Sequence, residues 1–204
     1  MSTSHAEYYR GVETAGRAIA ATGAAAEPDR VARAVHDAMQ ERFAGTGLAG
    51  SLACRAGCAA CCHFPVGVTF GEARLLAAAA ADRPELAARV RAQADATARV
   101  PWSQLVGMPC PFLVDDRCAA HAMRPLPCRA LGSTDAAACA TALHTPHDVP
   151  RDDAAFWLGL GAASALAEVG VPGHRELRAA VAALLRAPEH SAAAFADART
   201  VPGD

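Results

Sequence analysis

The sequence predicts an all-α fold, a helical domain with a cysteine-rich irregular insert that closes a metal site. Three observations carry this reading. Alanine is abundant and all 19 basic residues are arginine, and both residue types head the helix-propensity scale. Apolar residues recur every three or four positions in several segments, with no strand–helix alternation along the chain. All eight cysteines lie between residues 54 and 139, in and around a Pro- and Cys-rich stretch with little helical period. A chain of 204 residues is read as one domain, 1–204. It is long enough to bury roughly 70% of its unfolded surface without a staple. Within it, 1–49 are N-terminal helices, 50–132 a cysteine-cluster metal-binding region, and 133–204 C-terminal helices.

Each element follows from local signals. Residues Ala6 to Ala21 can form a helix. Pro28 to Phe43 form a second: Pro28 suits the first helical position, and Val31, Val35, Met39 and Phe43 share one face. Gly45, Gly47 and Gly50 then break the pattern. Thr69 caps a helix through Ala81, with Glu72 placed for a capping box. Asp82 to Val100 form another, with Leu86, Val90 and Ala94 on one stripe, stopped by Pro101. Within Pro101–Gly132, Phe112-Leu113-Val114, Asp115-Asp116 and Arg117-Cys118 read as a short extended piece and a tight turn. Helices are expected again over Ser133–Leu143, Asp152–Glu168 and Arg175–Arg186, before an Ala-rich frayed tail.

Composition excludes several classes. Net charge is −2 and charged residues are 20%, which argues against a nucleic-acid binder or a polyacidic tail. Glu7, Arg10, Glu13 and Arg17 interrupt any signal-peptide core. No apolar run approaches the ~18 residues of a spanning helix. A cytoplasmic address without membrane contact is expected. Thiols stay reduced there, so the cysteines read as metal-binding or catalytic rather than as disulfides.

Cys54-x3-Cys58-x2-Cys61-Cys62 places four thiols within nine residues. One loop can then offer several soft donors with little chain entropy to lose. Gly57 lets that loop turn tightly. Cys110, Cys118 and Cys128 follow about fifty residues later. Seven cysteines at these spacings argue against simple buried hydrophobes. One zinc takes four ligands, and a [4Fe–4S] cluster also takes four. Two centres, or a polynuclear thiolate cluster, would use all seven. The C-x3-C-x2-C spacing equals that of radical-SAM enzymes, but their β/α barrel has no counterpart in this pattern.

CRAGCAACC (Cys54–Cys62), CPFL (Cys110–Leu113), Cys118 and RPLPCR (Arg124–Arg129) together resemble the YkgJ-type cysteine-cluster family, a zinc- or iron-chelating domain. The likeness covers about eighty residues. It implies Cys54, Cys58, Cys61, Cys62, Cys110, Cys118 and Cys128 as metal ligands. It departs at His121, where the family commonly has Tyr. Related cysteine regions occur in flagellin lysine methylases, which tilts the expected cofactor from zinc towards an iron–sulfur cluster, [4Fe–4S]. The methylase activity does not carry over.

Four thiolates around a dication leave a net charge of about −2, and Arg124 and Arg129, flanking Cys128, are placed to offset it. His63 and His121 are further ligand candidates, His63 reading more simply as a loop histidine. Cys139 reads as a small core residue on a helix, with a spare ligand as second choice. Glu72 is a cap rather than a base. Tyr8-Tyr9 mark a helix start, and Trp102 and Trp157 pack. The leading function is metal binding through the cysteine cluster. A helical interaction module with structural zinc and a cluster-dependent group-transfer or redox enzyme are the alternatives. Nucleotide-loop, flavin, nicotinamide, H-E-x-x-H and G-x-S-x-G motifs are missing from the sequence.

Overall fold

The structure, a computed structural model, describes residues 3–23, 25–46 and 50–202; the expected break at Gly47 lies outside them. Among the described residues the chain is mainly helical, with only four two-residue strands. No helix among them is long and apolar enough to cross a membrane.

Helices α1 (Thr3–Thr22) and α2 (Pro28–Ala44) come first, and α2 buries Val31, Val35 and Met39 on the expected face. Strand β1 (Gly67–Val68) leads into α3 (Phe70–Ala81). The Thr69–Glu72 capping box is complete at the start of α3, as the sequence predicts. Helix α4 (Pro84–Thr97) buries Leu86, Val90 and Ala94, and ends three residues before Val100. Strands β2 (Leu113–Val114) and β3 (Arg117–Cys118) form an antiparallel hairpin with Leu113 opposite Cys118. Its turn residues Asp115 and Asp116 both have left-handed φ, 49° and 55°. A two-residue turn of type I′ requires this geometry at both positions, and Asp tolerates it. Two short helices follow, α5 (Leu126–Ala130) and α6 (Ala136–Thr141). Helix α7 (Asp153–Leu166) is capped by Asp152.

Two expectations are corrected. Arg175 and Glu176 belong to a strand, β4 (Arg175–Glu176), that pairs with β1, so α8 (Leu177–Arg186) starts at Leu177. The tail is not frayed throughout. It contains α9 (Ser191–Ala196), whose Phe195 is fully buried with its ring 5.2 Å from that of Phe70.

Two apolar clusters organise these elements. One joins Phe70, Leu76, Val90, Phe112, Val181 and Phe195. The other joins Val35, Met39, Leu75, Leu126, Leu158 and Leu166. Helix α3 serves both, because adjacent Leu75 and Leu76 face different clusters. Cys110 and Cys118 pack against the first cluster, Leu126 lies in the second, and Met123 touches both. The cysteine region therefore lies at the seam.

Helices α1 and α7 touch backbone to backbone. A Cβ at Gly161 would overlap the Tyr8 carbonyl, and one at Gly11 the Leu158 carbonyl. Gly161→Ala is expected to push the helices apart at a cost of about 1–3 kcal/mol, as for overpacking in a core. Thermal unfolding checks this; an unchanged midpoint would show that the pair separates freely.

Candidate metal centre

The first cysteine loop is a series of tight turns. Ala53 N–H donates to the Ser133 carbonyl at 2.8 Å, and Ser133 N–H points at Cys54 Sγ at 3.4 Å. Gly57 has φ 86°, which only glycine adopts freely, and Cys58 N–H closes the turn onto the Arg55 carbonyl at 2.9 Å. A single 3₁₀ turn, Ala60–His63, carries Cys61 and Cys62. The second cysteine stretch is stitched to it. Cys110 N–H donates to the Cys62 carbonyl at 2.7 Å, and Gly107 N–H to that of His63 at 2.8 Å. The β2–β3 hairpin then supplies Cys118, and α5 supplies Cys128.

Two buried charged groups brace this assembly. Glu72, fully buried on α3, accepts from Thr69 N–H and Oγ1–H at 3.0 Å each. It also accepts from Leu126 N–H at 2.7 Å and lies 3.1 Å from His36 Nε2. Burial alone would raise its carboxyl, but the His36, Thr69 and Leu126 donors outweigh that and hold it below the usual value. The same carboxylate thus caps α3 and fixes the start of α5, two residues before Cys128. Arg178 is the second brace. It pairs with buried Glu176 at 2.9 Å and donates to the Met108 and Pro109 carbonyls at 3.0 and 3.1 Å. That fixes the backbone leading into Cys110.

The thiols fall into two neighbourhoods. The two overlap at Cys61: Cys61, Cys62, Cys110, Cys118 and Cys128 form the inner one, Cys61 lying near Cys118 and Cys128. Burial pushes Cys110 up to about 11, with the Phe112 N–H and then Arg178 partly offsetting it. Burial also raises Cys118 and Cys128, and Cys128 is raised further by its thiol neighbours Cys110, Cys61 and Cys118. A thiol–thiol hydrogen bond couples Cys61 and Cys62: it brings Cys61 down to about 6, aided by Arg124 and His63, and raises Cys62. The outer neighbourhood is a cavity of about 720 Å³ whose wall includes Cys54, Cys58, Cys61 and Cys139.

Arg124 and Arg129 differ. Arg124 lies near Cys61 and Cys118, and its buried Nε has no hydrogen-bond partner. Arg129 is turned to the fold, donating to the Arg124 and Ala122 carbonyls at 2.7 and 2.6 Å and to Gln40 Oε1 at 3.4 Å. His63 uses Nδ1–H on the Ala59 carbonyl at 3.1 Å. His121 is exposed, and Arg124 first, then burial and Arg129, hold its pKa down.

Among the described residues, no three His, Cys, Asp or Glu side chains already converge on a point that could hold a metal ion. The thiols are neighbours, not a closed shell. Their chemistry fits a soft metal: eight free cysteines, and an orphaned guanidinium N–H beside two of them.

Cys139 corrects the reading of it as a core residue. It lies on α6 as expected, but Ala138 is the buried one, and Cys139 faces the cavity beside Cys54 and Cys58. Glu176 and Arg178 were not legible as braces, because an i,i+2 charge pair opening an apolar helix looks like surface. Cys139 carried one signal, its place eleven residues after Cys128.

No curated protein and no solved structure matches the chain significantly. Residues 53–145, a little under half of the 204, match the family model CxxCxxCC, described as "Putative zinc- or iron-chelating domain", which is the kind of cysteine cluster the motif spacing resembles.

Proposed function

We propose that the chain is a metal-binding protein whose inner thiols, Cys62, Cys110, Cys118 and Cys128, hold an iron–sulfur cluster of the [4Fe–4S] type. The observation that carries the reading is the stitching of the two cysteine stretches by backbone hydrogen bonds, with α5 and its Cys128 anchored through Glu72 beside them. Four thiol donors match the number that such a cluster takes from protein. Bound there, the cluster would supply one-electron transfer; zinc on the same donors would supply a structural clamp. The chain's own groups do the rest. Packing against Phe112 and its neighbours limits water at Cys110 and Cys118, which are partly buried. Arg124 offers a fixed positive charge and a free N–H to thiolate sulfur. Arg129 holds the turn that presents Arg124. Eight free thiols suit the reducing cytoplasm.

Anaerobic purification with iron, zinc and acid-labile sulfide analysis tests this. The expected result is iron and sulfide in equal amounts with a broad visible absorption band. Zinc without sulfide would replace the cluster by a zinc clamp, and protein without bound metal would overturn the reading.

A further inference from the structure

We propose that the cavity of about 720 Å³ beside the first cysteine loop binds a small organic carboxylate with an apolar body. Its volume falls within the roughly 300–1,000 Å³ of small-molecule sites. The wall is chiefly apolar, with Phe64, Val106, Leu131, Leu143 and Val149 lining it. Among the described residues four large apolar side chains stay exposed, and two of them, Val106 and Leu131, stand on this wall. Apolar side chains left wet in a concave site gain when an apolar ligand covers them.

Hydrogen bonds set the walls in advance, with buried Ser133 as the hub. Its carbonyl accepts from Ala53 N–H at 2.8 Å, and its Oγ–H donates to the Pro150 carbonyl at 2.6 Å. Ser133 and Arg151 form an antiparallel bridge. Beside it Thr134 N–H donates to the Pro150 carbonyl at 3.3 Å, and Asp152 N–H to the Gly132 carbonyl at 3.0 Å. Residues 144–151 are thus anchored at their end, and Pro146 and Pro150 stiffen them. A wall already ordered costs little when a ligand enters.

That segment supplies the polar end. His144, His147 and Arg151 line the cavity, and Asp148 is the one carboxylate among its lining residues. Arg151 stacks over the Phe156 ring at 3.9 Å and donates through Nε to Asp153 at 2.9 Å. Its orientation is therefore fixed, and its two terminal nitrogens are left to meet a carboxylate. Cys54, Cys58, Cys61 and Cys139 line the same cavity, so the bound carboxylate lies against the edge of the thiol assembly. Recognition uses apolar contact, imidazole and guanidinium, and stands independently of the metal that the inner thiols take.

Calorimetric titration of 4-phenylbutyrate into the full chain as purified tests the site. The wild type is expected to bind one equivalent, with the negative heat-capacity change of apolar burial. 4-Phenylbutan-1-ol keeps the ring and lacks the charge, and is expected to bind about tenfold more weakly. Leu131→Asp, and independently Val106→Asp, place a carboxylate on the wall at positions already 37% exposed. Each is expected to weaken phenylbutyrate by about tenfold or more. Arg151→Ala should weaken the acid and leave the alcohol unchanged. Circular dichroism and metal content equal to wild type show that the variants are folded. Absence of saturable binding by the wild type, or binding unchanged by both Asp variants, would overturn the site. Equal affinity for acid and alcohol would overturn its assignment to a carboxylate. Metal content is measured separately, so the inner centre stands or falls on its own result.

Discussion

Glu72→Ala is expected to destabilise the protein by about 3–5 kcal/mol, the cost of removing one partner from a buried charged network. The carboxylate accepts from Thr69, Leu126 and His36 with no access to water. Truncation leaves two backbone N–H groups buried and unpaired and removes half of the capping box. Acid should reproduce part of this loss. The folded-state pKa of Glu72 lies below its ordinary value. Its stabilisation is therefore fully present above the unfolded value of about 4.3 and is lost as pH falls through the folded one. Urea midpoints should thus differ widely between wild type and variant at neutral pH and converge in acid. A gap that stays constant into acid would show that lost packing, not the ionised carboxylate, is responsible. Glu72→Ala should also lower metal content, because the start of α5 loses its anchor.

Cys128→Ser is the second large effect: loss of the inner metal while the helices remain folded. Hydroxyl oxygen is a poor substitute for thiolate towards iron or zinc, and Cys128 sits among Cys110, Cys118 and Cys61 with no spare thiol on α5. Retention of full metal content would remove Cys128 from the ligand set. The pH dependence gives an independent check. Burial raises Cys110, Cys118 and Cys128, so these thiols are protonated near neutrality and loading must release their protons. Affinity should rise by roughly tenfold per pH unit for each proton released. Chelator competition at two pH values one unit apart measures the slope; a flat profile would mean that the ligands are not these thiols.

Much of this was readable from local chemistry. Thr69 and Glu72 at capping-box spacing announce α3, and Asp115-Asp116 announce the tight turn after a short extended piece, though not the pairing of β2 with β3. Both are decided within four or five residues. The motif cysteines were legible because their spacing is itself the signal. What escaped is long-range. Phe195 is buried only because Phe70, over a hundred residues earlier, is there to receive it. Arg178 is a brace only because the Met108 and Pro109 carbonyls turn towards it. Cys139 looked like one more small residue in an alanine run until Ser133 brought it to the first cysteine loop.

The bracing by Glu72 and Arg178 has a thermodynamic consequence. Both groups bond the cysteine-bearing backbone directly, through a carboxylate and a guanidinium, and neither bond involves a thiol. The chain entropy of gathering ligands from three distant stretches is therefore met during folding rather than at the moment of ligation. A small metallodomain of the zinc-finger type unfolds when its ion is chelated. The bracing bonds lead to the opposite expectation here: chelation should leave the helical circular dichroism largely intact, because little ordering cost then falls on ligation.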